Sequence, residues 1–201
     1  PTVTQNVRID VTELMAFRKK INNDLGVKYS LNDYVLKATA KALKNNKHIL
    51  VSLDGDQIIK RAHVNIGMAV ALEDGLIVPV IKDADKMSLG EISETARDLA
   101  ERARTNKLSM DEYKGSTFSI SNLGMFGVET FNPIINQPDA GILGVCAVQD
   151  ELVMDDAGAI TKRQFMRISF TFDHRLIDGA TAAKFELAIR DLMEHPMQIL
   201  L

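Results

Sequence analysis

The sequence has 201 residues, with 24 Lys and Arg against 27 Asp and Glu, a formal charge of −3 and a pI near 5.8. A chain of this length buries about 70% of the surface it exposes when unfolded, so one large core forms without disulfides or metal. The single cysteine, Cys146, excludes an internal disulfide and a multi-cysteine zinc site and points to a reducing compartment. The balanced charge without a basic block argues against nucleic acid as a partner, and no run approaches the ~18 apolar residues of a membrane span. The opening PTVTQNV lacks the charged and apolar blocks of a signal peptide. With no linker, repeat or low-complexity tract, residues 1–201 read as one domain.

In chain order, residues 5–11 alternate Val7, Ile9 and Val11 inward with Asn6, Arg8 and Asp10 outward, which predicts a half-buried strand. Thr12 is placed to cap a following helix with Leu14, Phe17, Ile21 and Leu25 on one stripe and Gly26 as a left-handed stop. Ser30 and Asp33 open a second helix through Tyr34, Leu36, Ala38 and Leu43. Residues 63–73 alternate as a strand, Asp74-Gly75 supplies a turn, and LIVPVI at 76–81 reads as a second arm buried on both faces, with Pro79 favouring a sheet edge or bulge. Ser88 and Glu91 form a capping box before Leu89, Ile92, Ala96, Leu99 and Ala103, a surface helix. Strands are expected at 116–121, 140–148 and 165–172, then a polar loop and a C-terminal helix carrying Phe185, Ile189 and Leu192. This intermixing of helices and strands predicts an α/β two-layer sandwich, a mixed sheet covered by helices on one side.

Two segments place reactive residue types at the ends of apolar strands: SFTFDHRLIDGA at 169–180 and TFSISNLGMFG at 117–127. In the first, His174 is a candidate general base, because imidazole takes and returns a proton at neutral pH; the competing reading is a surface histidine beside a local Arg175–Asp178 ion pair. In the second, Ser119 and Ser121 share one strand face at period two, and a serine there can donate to an oxyanion or simply satisfy a turn. No GxSxG elbow surrounds either, so neither reads as a nucleophile. His48 and His63 read as structural or surface histidines, His195 as a helix-end residue and Cys146 as a small buried hydrophobe, and four scattered histidines make no metal cluster. Met125, Phe126, Phe131 and Pro133 are candidates to wall an apolar channel.

These two segments, together with DGLIVPVIKDADKMSLGEI at 74–92 and NPIINQPDAGILGV at 132–145, resemble the catalytic domain of the 2-oxoacid dehydrogenase complex acyltransferases, over residues 7–201. The DHRLIDG string is that family's signature, shared more loosely with chloramphenicol acetyltransferase, and GMFGVETFNPIIN looks most like the acetyl branch, which serves pyruvate dehydrogenase complexes. The resemblance implies a chloramphenicol-acetyltransferase-like fold, a homotrimer with active sites at subunit boundaries, and trimers assembled into a cubic or dodecahedral core. It implies transfer of an acetyl group between coenzyme A and a dihydrolipoyl arm carried on a separate domain, with no metal. Succinyl or branched-chain specificity and a non-catalytic scaffold are the alternatives.

The same resemblance makes His174 the base and Ser121 the oxyanion donor, and Asn122, Met125 and Phe131, next to Ser121 in the sequence or beyond it, are the candidate substrate-binding residues. Asp178 invites a triad reading four residues after His174, whereas the resemblance implies an ion pair fixing the loop, with Arg8 or Arg175 as partner. Ser119 stands where the family more often has Thr. The family pattern's lipoyl domain, flexible linkers, peripheral-subunit-binding domain and N-terminal amphipathic helix are not in these residues, so the resemblance implies that they would be the catalytic core of a longer chain. Its implied partners are lipoyl domains, pyruvate dehydrogenase and dihydrolipoamide dehydrogenase, with neither nucleic acid nor membrane, in bacterial cytoplasm or mitochondrial matrix.

Overall fold

The structure, a computed structural model, describes all residues 1–201. The first strand, β1 (Thr2–Asp10), starts earlier than its alternation suggested and lies antiparallel to the long β11 (Ile160–Asp173) over its whole length. Helix α1 (Thr12–Leu25) begins directly after Val11, and the expected capping role of Thr12 falls to its neighbour. The Thr12 amide and hydroxyl both donate to Asp10 Oδ1, at 3.0 and 2.6 Å. Gly26 ends α1 in the left-handed region at φ 64°, as expected, but Leu25 is 64% exposed and does not continue the buried stripe.

Helices α2 (Leu31–Asn45) and α3 (Leu89–Arg104) both carry the expected capping boxes, Ser30 with Asp33 and Ser88 with Glu91. The hairpin of β2 (Val51–Asp54) and β3 (Gln57–Lys60) forms a small ribbon of its own. The strand expected over 63–73 breaks at Ala69, whose amide donates to Ile120 O at 2.9 Å. Its first part, β4 (Ile66–Met68), joins the main sheet, and its second, β5 (Val70–Leu72), pairs with β6 (Gly75–Ile77) across the expected turn. The arm 76–81 is therefore not buried on both faces throughout: Leu76 is exposed, while Pro79 and β7 (Val80–Ile81) are buried. Pro79 stands beside the sheet edge, where it only accepts a bond, from the Met68 amide at 2.8 Å.

The remaining strands are β8 (Phe118–Asn122), β9 (Gly141–Val145) and β10 (Gln149–Met154), followed by β11, α4 (Gly179–Glu194) and the single turn α5 (Met197–Leu200). The main sheet has seven strands in the order β1-β11-β9-β8-β4-β7, with β10 on β11; β8 runs parallel to β4 and β9, and the other pairs are antiparallel. This is the mixed sheet under a helical layer that the pattern predicted. The two layers lock through Phe118, Phe170, Phe172 and Phe185, all fully buried, with the Phe185 ring of α4 meeting Phe118 and Phe170 edge-on at 5.5 and 5.2 Å. Each buried ring contributes about 1.5–3 kcal/mol by leaving water.

The opposite face of the same strands, reached by the alternate side chains, is rich in polar residues around the apolar Ile142. Ser119, Ser169 and Thr171 lie there, and all three are buried. The cover is the irregular segment 131–139: the Asn136 amide group donates to Ser119 Oγ at 3.2 Å, and the Phe131 ring rests where a Cβ of Gly144 would stand, 2.8 Å from Cζ. No helix is long and apolar enough to cross a membrane.

Candidate active site

Strand β11 delivers the DHRLIDG loop, and that loop is held on both sides of His174. Asp173 pairs with Arg175 at 2.6 Å and also accepts from the Arg175 amide at 2.9 Å. The guanidinium holds the Asp173 carboxyl below the usual carboxylate range. The His174 amide donates to Pro1 O at 3.0 Å, tying the loop to the start of β1. On the far side, Asp178 is the N-cap of α4: its Oδ1 accepts from the Thr181 amide at 2.8 Å and its Oδ2 from the Thr181 hydroxyl at 2.9 Å. Those bonds hold its carboxyl below the ordinary range, with a smaller contribution from the nearby His174.

The implied Asp178–arginine ion pair is therefore not made in this chain. Arg175 is taken by Asp173, and Arg8 by Glu151 at 3.0 Å, with its guanidinium 4.2 Å from the Phe165 ring centre. Nor does Asp178 bond to the His174 ring, as a triad would require. The ring instead lies against Phe172, centroids 6.0 Å apart, and is exposed.

Ser121 is near the end of β8, half-buried, on the polar face. Its register partner is Gly144, which in turn faces Ser169 and then Asn6, so Ser121 starts a row of small polar groups across the sheet. Asn122 next to it closes the turn: its Nδ2 donates to Asn32 Oδ1 at 2.8 Å and its Oδ1 accepts from the Gly124 amide at 2.9 Å. Met125 is 80% and Ile134 90% exposed, with Phe126 also in solvent, so the loops after Ser121 offer an apolar surface that this chain alone does not cover. Phe131, by contrast, is half-buried over Gly144, adjoining Ser121.

Within one chain Ser121 and His174 do not meet. Ser121 lies opposite Gly144 and Gly144 opposite Ser169, five residues before His174 along β11. Two strand spacings across and five residues along put the two backbones on the order of 20 Å apart. They also leave opposite faces of the sheet, since Phe172 and His174 lie on the helix side.

Among the other histidines, His63 pairs with Asp83 at 2.7 Å and His195 caps the end of α4 beside Asp191. Cys146 is buried and burial pushes its thiol up, in line with its reading as a core residue. Residue patterns gave no sign of two buried carboxyls. Asp139 accepts from Ser119 Oγ at 2.6 Å and Ser116 Oγ at 3.0 Å, and burial pushes it to about 6 against those bonds and Arg61. Glu186, on the core side of α4, is pushed to about 7 by burial, and its Oε1 has no partner. Both occur in ordinary loop and helix sequence, and only tertiary burial sets them apart.

The whole chain, residues 1–201, matches the family described as 2-oxoacid dehydrogenases acyltransferase (catalytic domain). It is 42% identical over 100% of its length to a dihydrolipoyllysine-residue acetyltransferase component of the pyruvate dehydrogenase complex from Zymomonas mobilis, covering 46% of that protein. It is 41% identical over 96% of its length to a succinyltransferase component of the 2-oxoglutarate dehydrogenase complex from Rickettsia bellii, covering 49% of it. The chain thus spans about half the length of the curated relatives it matches. Among solved structures it superposes with TM-score 0.92 and 40% identity on an Azotobacter vinelandii dihydrolipoamide acetyltransferase, covering 100% of this chain and 84% of that one. In that enzyme the roles of a serine, a histidine and an asparagine in the catalytic mechanism were investigated, the last two standing four residues apart. Chloramphenicol acetyltransferase, at 13% identity and TM-score 0.63 over 96% of this chain and 88% of that one, shares the fold. The chain belongs to the catalytic-domain family of the 2-oxoacid dehydrogenase acyltransferases.

Proposed function

We propose that this domain transfers an acetyl group between coenzyme A and a dihydrolipoyl arm, with His174 as general base and Ser121 as oxyanion donor. The observation that carries the reading is the setting of His174. Its loop is fixed by the Asp173–Arg175 pair, the bond to Pro1 and the Asp178 cap, while the ring itself is exposed beside Phe172. A loop held on both sides that leaves its imidazole open to solvent suits a thiol proton acceptor. The four-residue spacing from histidine to asparagine in the Azotobacter enzyme equals that from His174 to Asp178, which supports the same loop serving here.

The chemistry needs no acyl-enzyme. His174 takes the thiol proton of one substrate, the thiolate attacks the thioester carbonyl of the other, and a tetrahedral oxyanion forms. The Ser121 hydroxyl donates to that oxygen more strongly than to the neutral carbonyl. On collapse the new thioester forms, the old C–S bond breaks, and the imidazolium returns its proton to the departing thiolate. Base and donor, about 20 Å apart in one chain by strand geometry, serve one site only when two chains contribute, so the active unit is an oligomer, a homotrimer in our reading. A structure related to this chain is the cubic core of a pyruvate dehydrogenase multienzyme complex, which supports further assembly of trimers. Lipoyl domains and the pyruvate dehydrogenase and dihydrolipoamide dehydrogenase subunits are the corresponding partners, in bacterial cytoplasm or mitochondrial matrix.

Acetyl rather than succinyl transfer is favoured by the walls beside Ser121. Residues 122–137, NLGMFGVETFNPIINQ, contain no Lys, Arg or His to pair with a succinyl carboxylate, and their one charged residue is Glu129. The test is transfer from acetyl-CoA and from succinyl-CoA to free dihydrolipoamide, by the parent and by His174→Ala at equal oligomer size. The reading expects acetyl to be preferred at least about tenfold and the variant to lose about 10²–10⁴-fold. A succinyl preference would overturn the acetyl assignment, and an undiminished His174→Ala would overturn the base.

A further inference from the structure

The covering segment is fastened to the sheet at one point by a buried carboxylate. Asp139 sits at the end of the segment, 5% exposed, with each oxygen accepting from a different serine: Oδ2 from Ser119 at 2.6 Å and Oδ1 from Ser116 at 3.0 Å. Ser119 closes the loop by accepting from Asn136 Nδ2 at 3.2 Å, so both its proton and a lone pair are committed to the segment. Gly67, in register with Ser119 on β4, leaves room for this hydroxyl, since a Cβ there would stand 2.9 Å from Ser119 Oγ. Ser119 and Ser121 share the polar face, and the segment fastened through Ser119 carries Phe131 over Gly144, the register partner of Ser121.

We propose that Asp139, through Ser119 and Ser116, is a positioning residue for the thiol-arm substrate: it clamps segment 131–139 on the polar face so that Phe131 forms one wall of the site beside Ser121. The proposal rests on the acyl-transfer reading above and assigns a role to a residue that never touches the reacting atoms. A carboxylate is suited to the clamp because it accepts from two hydroxyls at once, whereas its protonated form carries a hydrogen of its own that needs an acceptor. The charged group acting on Asp139 is Arg61, which follows β3; its bonded partners are neutral hydroxyls. Burial places its titration near pH 6, so the clamp is complete above that pH and weakens below it.

The test uses the full chain with acetyl-CoA and dihydrolipoamide and compares Asp139→Asn, Ser119→Ala and Ser119→Thr. Asp139→Asn and Ser119→Ala are expected to raise KM for dihydrolipoamide about tenfold with kcat within about twofold, at unchanged oligomer size. Ser119→Thr keeps the hydroxyl and is expected to keep the parental KM. The acid limb of kcat/KM should lose an ionisation near pH 6 in Asp139→Asn. An active parent whose KM and acid limb are the same in Asp139→Asn and Ser119→Ala would overturn the clamp alone. An inactive parent would defeat the acyl-transfer reading and the clamp with it. Should Asp139→Asn fail to fold, the Ser119→Ala and Ser119→Thr pair decides.

Discussion

Asp178 and Thr181 are joined by two hydrogen bonds, amide to Oδ1 and hydroxyl to Oδ2, and this pair caps α4 four residues after His174. The carboxylate therefore acts as a helix cap, and its charge is not spent on an arginine.

From that follows a contrast between two substitutions. Asp178→Asn keeps an oxygen at the cap and is expected to retain folding and most activity. Asp178→Ala should lower the melting temperature and lower activity by loosening the His174 loop. Thermal unfolding and steady-state transfer on both variants check this; a loss in Asp178→Asn as deep as in Asp178→Ala would restore a role for the charge.

Ser121→Ala tests the oxyanion role. Loss of one positioned donor is expected to lower kcat about 10²–10³-fold with little change in KM, because the donor acts on charge that exists only in the transition state. Transfer kinetics at saturating and limiting acetyl-CoA separate the two parameters. A rise in KM at constant kcat would make Ser121 a ground-state contact.

Glu186 predicts an unusual pH dependence of stability. Its carboxyl is buried against the core with one oxygen unpartnered and is pushed up to about 7, above its unfolded value near 4.5. The folded chain then holds a proton that the unfolded chain has released, so this group's contribution is fully favourable below about pH 4.5 and is lost as pH rises through about 7. Glu186→Gln is expected to remove this dependence, so that its melting temperature gains on the parent between pH 5 and pH 8. A constant difference across that range would mean that Glu186 does not titrate in the folded state.

Much of the architecture was legible because it is written locally. The capping boxes at Ser30 and Ser88 and the left-handed Gly26 each use residues within one turn of the helix end. The break in the strand at Ala69 was not, since it is imposed by Ile120 and Pro79, which are distant in sequence. The β2–β3 ribbon went unread although Asp54 and Gly55 give a turn signal; the exposed Ile58 blurs its inside-outside pattern. Strand β10 was hidden for a related reason, because Leu152 and Met154 point to solvent. At the site, the strand-end placement of Ser121 and the loop placement of His174 followed from patterning, and Thr181 three residues after Asp178 was a usable cap signal. Asp139 and Glu186 carry no such signal: a carboxyl becomes unusual only when distant elements bury it.

The central claim is that one chain holds half a site, because Ser121 and His174 lie across and along the sheet from each other. Mixing His174→Ala and Ser121→Ala proteins under conditions that exchange subunits tests it most directly. Each is expected to be nearly inactive alone, and the mixed oligomer should regain a substantial fraction of parental acetyl transfer from boundaries that pair an intact His174 with an intact Ser121. Proven exchange, followed by mass spectrometry of differently labelled subunits, with no recovery of activity would contradict the account.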